Sequence, residues 1–166
     1  MQSSRAITVS LLLSACTPSD PAAVAYGEVL RPLLRANSRL ATEVIKLAAD
    51  AHDEHADSDA IRARWRDSVI PSSEHIAWQA ATTESPQSWA AMHEELVEIW
   101  KQRASAYREL DFAITDASRE AWTRAGESVN ECQVAEEAWV AEASKALGAK
   151  GVRLDPYPTT DCCLTP

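Results

Sequence analysis

The chain has 166 residues, with 16 Lys and Arg against 25 Asp and Glu, a formal charge of −9 and only four glycines. A surface of that sign repels nucleic acid and anionic lipid, so nucleic acid is excluded as a partner. So few glycines, with no alternating apolar pattern, leave no material for strands and tight turns and predict an all-α fold.

In chain order, residues 1–15 read MQSSRAITVSLLLSA. They hold one cation at Arg5, no acid, an apolar run from Ala6 to Leu13 and small residues before a cysteine, which is the order of a signal peptide. The run is far shorter than the roughly 20 residues of a spanning helix, and no later segment approaches that length, so membrane attachment must come from lipid. Leu13-Ser14-Ala15-Cys16 resembles the lipobox of bacterial lipoproteins. The resemblance covers only the first 16 residues. It implies cleavage before Cys16, a diacylglycerol thioether on its sulfur and a further fatty-acyl chain, typically palmitate, on its amine. Two or three acyl chains, each contributing about 0.8 kcal/mol per buried methylene, anchor a protein where one is marginal. Thr17 in place of aspartate favours the periplasmic face of the outer membrane over the inner. Cleavage removes Arg5 and no acid, so the mature chain is more acidic still.

Residues 16–20 form a short lipidated tether. Asp20-Pro21 is a cap residue followed by proline at the first helical position. From there Tyr26, Leu30, Leu33, Asn37, Leu40, Val44 and Leu47 recur in steps of three and four, predicting a helix over 21–51. Pro32 should kink it. Asn37 is a polar residue on the apolar seam, read as a buried amide that fixes helix register. His52 to Asp59 reads as a charged loop ending in N-cap aspartates, without the glycine and glutamate of a calcium loop. A short helix carrying Ile61, Trp65 and Val69 should stop at Pro71. Ser72 or Ser73 then caps a second short segment, Glu74 to Ala81, which completes a kinked arm.

Ser85-Pro86 opens the longest stripe: Trp89, Met92, Leu96, Ile99, Trp100, Tyr107, Leu110 and Ile114, then Trp122, Ala125, Val129, Cys132, Trp139, Ala143 and Leu147. One helix over that span would run roughly 90 Å, too long for this domain, so a turn is required. Gly126 followed by Ser128-Val129-Asn130-Glu131 supplies one, with Thr115-Asp116 as the competing position. Gly148 ends the last helix. The expected architecture is an up-down four-helix-type bundle over 21–148 with a non-helical, proline-bearing tail over 149–166.

Cys132, Cys162 and Cys163 remain after Cys16 is acylated, in a compartment that permits disulfides. The tail can lie back along the last helix, so a bridge from Cys132 to Cys162 or Cys163 is expected to pin it. His75, His93 and Glu28 fall at similar heights on neighbouring arms and approximate two histidines and a carboxylate for a metal. Trp89, Trp100 and Trp122 are candidates for an aromatic ligand slot, against the simpler reading that they pack between arms. Arg62, Arg64 and Arg66 form a basic cluster, read as a salt-bridged surface. No nucleophile elbow, phosphate-cradling loop, zincin or haem motif occurs. The expectation is a non-catalytic lipoprotein of the cell envelope, without cofactor, that binds another envelope protein or polymer through a helix face. A bundle that holds a metal or flat ligand between its arms is the alternative.

Overall fold

The computed structural model describes residues 20–51, 55, 57–115 and 119–154. Residues 1–15, read above as a signal peptide, and Cys16, His52, Cys162 and Cys163 lie outside the described residues. Every element within them is helical.

Helix α1 spans Pro21–Asp50 and is capped as its sequence requires, with the Asp20 carboxylate accepting from the Ala22 amide at 3.0 Å. Its seam is buried: Tyr26, Leu30, Leu33, Leu40 and Leu47 face inward with Asn37 among them. Pro32 lies inside α1 and does not end it. The ring sits on the exposed side, so the carbonyl it leaves without a donor, that of Glu28, also faces solvent, where water can satisfy it.

The second arm departs from expectation. α2 (Ser58–Arg64), capped by Asp57, runs through a π-helical turn at Trp65–Val69 directly into α3 (Ile70–Thr82). Pro71 therefore does not stop the helix, and Ile70 before it is helical at φ −61° and ψ −55°. Pro71 cannot donate to Asp67 and its ring would crowd that carbonyl; the wider turn ahead of it relieves both. Ser72 and Ser73 cap nothing, since Ser73 is buried and donates to the Ile70 carbonyl at 2.7 Å.

A 3-10 turn at Gln87–Trp89, with no side-chain cap from Ser85, leads into α4 (Ala90–Thr115), and α5 spans Arg119–Gly148. The turn between the last helices thus falls at the Thr115 position. Gly126 is inside α5 on its exposed face, where a β-carbon would meet nothing within 4 Å. A mid-helix glycine costs about 1 kcal/mol against alanine, less than the packing lost by breaking helices matched in length.

Side-chain contacts fix the antiparallel order. At one end Trp89 of the 3-10 turn stacks on Tyr26 of α1 with ring centres 5.2 Å apart, His93 of α4 bonds the Ala80 carbonyl of α3 at 2.9 Å, and the Trp139 indole of α5 donates to the Met92 carbonyl at 2.7 Å. At the other, Trp65 donates to the Tyr107 carbonyl at 3.3 Å and Arg64 pairs with Asp50 at 3.5 Å. The result is an all-α, up-down bundle whose first and last described residues share one end.

Those ends are tied. The Asp20 amide donates to the Lys150 carbonyl at 3.4 Å, and the Lys150 ammonium lies 3.6 Å from the Asp20 carboxylate. Gly151, at φ 76°, reverses the chain, after which Val152 and Leu154 are buried. The first tail residues pack on α1, not only along the last helix as its sequence suggests. Gly27 makes room for them: a β-carbon there would lie 2.8 Å from Val152 Cγ1.

Candidate functional site

Asn37 carries a larger structure than its sequence position announced. Its side-chain amide donates to one Glu136 carboxylate oxygen, Arg103 donates to the other, and the second guanidinium nitrogen of Arg103 donates to the Asn37 carbonyl oxygen. The three buried residues come from α1, α4 and α5 and close a ring of hydrogen bonds across the bundle. The Trp100 indole covers the guanidinium, with the Arg103 carbon 5.9 Å from the ring centre. Cys132 and Tyr107 border the ring. Burial pushes the Cys132 thiol above its ordinary pKa, which nearby Arg103 offsets only in part. Tyr107 is raised for the same leading reason. Arg103 and Glu136 went unread in the sequence, although a signal existed. The apolar stripe jumps seven residues from Trp100 to Tyr107 and again from Cys132 to Trp139, and the two charged residues occupy the inward positions inside those gaps.

The metal trio does not assemble. His93 is buried and its Nε2 is committed to Ala80, whereas His75 is exposed and stacks on Trp78 at 5.8 Å, and Glu28 is exposed and pairs with Arg31. Equal height along the bundle did not imply an inward direction. Among the described residues no group of three His, Cys, Asp or Glu side chains is placed to hold a metal ion. The aromatic slot is dispersed as well. Trp100 is fully buried, Trp89 is half-buried at the end near Asp20, and Trp122 is exposed at the opposite end. Cys132 is a buried free thiol among the described residues, and both expected partners, Cys162 and Cys163, lie outside them.

Near Asp20, the Tyr26 hydroxyl and His93 Nδ1 are buried without a hydrogen-bond partner among the described residues, and the two rings meet edge to face at 5.8 Å. Burial holds the Tyr26 phenol far above its ordinary value of 10.0. The native chain therefore keeps that proton at alkaline pH values where the unfolded chain releases it. Stability from this source is complete below the unfolded value and falls above it by up to ~1.4 kcal/mol per pH unit. Tyr26→Phe is expected to leave stability at neutral pH unchanged or higher, because it removes an unpartnered buried hydroxyl, and to flatten the alkaline decline. Urea midpoints on either side of the ordinary tyrosine value test both; a loss above about 1 kcal/mol at neutral pH would show that the hydroxyl is bonded.

The opposite end presents an open groove of about 770 Å³. Arg66 and Ile70 of the second arm, Arg108 and Phe112 of α4, and Ala121 and Arg124 of α5 line it. Arg66 is in the π turn and is bonded through Nε to both carboxylate oxygens of Asp111, at 2.8 and 2.9 Å. Arg108 pairs with Glu74 at 3.3 Å. Arg62, Arg64 and Arg66 each pair with an aspartate, Asp59, Asp50 and Asp111 respectively. Phe112 is 67% exposed, and Trp122, next to Ala121 in the chain, is 48% exposed.

These features define a class, an acidic antiparallel helical bundle with a buried polar ring and an open groove at one end. No protein-family model matches the chain, and neither a curated protein nor a solved structure shows significant similarity to it. No helix among the described residues is long and apolar enough to cross a membrane.

Proposed function

We propose that the chain is a lipid-anchored, non-catalytic interaction protein of the bacterial envelope, held at the periplasmic face of the outer membrane through Cys16. The observation that carries this reading is the distance between the lipobox and the bundle: Asp20, which caps α1, follows Cys16 by only four residues. A tether of that length spans at most about 14 Å. The end bearing Asp20 and Lys150 would then stand against the bilayer, and the groove at the other end of α4 would project away from it. Along α4, Arg108 and Phe112 of the groove stand roughly 27–33 Å from Ala90, which is at the end near Asp20. A rigid bundle that holds an open groove at that height suits the capture of another envelope protein.

The test is metabolic labelling with a palmitate analogue in a bacterial host. The wild-type chain should take up label and partition with membranes, and Cys16→Ser should do neither while folding to the same helical content. An unlabelled wild-type chain with residues 1–15 still attached would end the reading.

A further inference from the structure

We draw no further inference here: the strongest candidate, the open groove between the second arm, α4 and α5 around Phe112, carries nothing, because carboxylates in and beside it offset its arginines and nothing in the structure shows what covers it.

Discussion

Arg103→Ala should destabilise the bundle by about 3–5 kcal/mol, the usual result of removing one partner from a buried ion pair. The arginine is only 7% exposed, and its loss leaves the Glu136 carboxylate buried with Asn37 as its remaining partner. A domain of this size has a total stability of about 5–15 kcal/mol, so the variant should lie near the edge of folding. The ring as a unit is a different matter. Replacing all three members with apolar residues of similar volume, as Asn37→Leu, Arg103→Met and Glu136→Leu together, removes the desolvation cost along with the attraction and should restore most of the stability. What the triple variant should lose is register, because the ring is satisfied at only one relative position of α1, α4 and α5, whereas leucines pack at several. Urea unfolding of the single and triple variants, with amide-proton dispersion as the readout of a unique fold, separates the two effects. A triple variant as unstable as Arg103→Ala would show that the ring itself supplies net stability.

Trp100→Ala should cost a similar amount, about 3–5 kcal/mol, through lost burial and the cavity that remains. Trp100 is the largest fully buried side chain among the described residues. It also covers the guanidinium of Arg103, so its loss admits water to the polar ring. The two sites should therefore couple: in a double-mutant cycle, Trp100→Ala and Arg103→Met together should cost less than the sum of the separate changes. Trp100→Phe should be much milder, because the ring stays over the guanidinium and the indole N–H, which has no partner among the described residues, is gone. Thermal unfolding of the four proteins measures the coupling, and strict additivity would mean that Trp100 acts by volume alone.

Much of the fold was legible in local chemistry. The cap at Asp20, the burial of Tyr26, Leu30, Leu33, Leu40 and Leu47 on one seam, and the end of α5 at Gly148 all follow from spacing and from the needs of helix termini. Errors arose where a local rule met a larger packing term. Pro71 should stop a helix, but a π turn absorbs it while Val69 and Ile76 remain buried on either side. Gly126 looks like a terminus and is carried inside α5. The candidate sites fared differently because they required direction as well as position. His75 and Glu28 have suitable heights and face solvent, and Trp122 falls on a stripe and is exposed.

By itself the sequence determined that this chain is an acidic helical bundle with one polar residue, Asn37, on its first seam, because helical periodicity and capping are properties of neighbours within a few residues of one another. Only the tertiary structure decided that Asn37 meets Arg103 and Glu136, residues 66 and 99 positions away, and that arginines from three helices converge on one groove. The physical reason is that a buried charge is tolerated only where its partners are, and the partners of these groups lie on other helices, which spacing along a single helix cannot report.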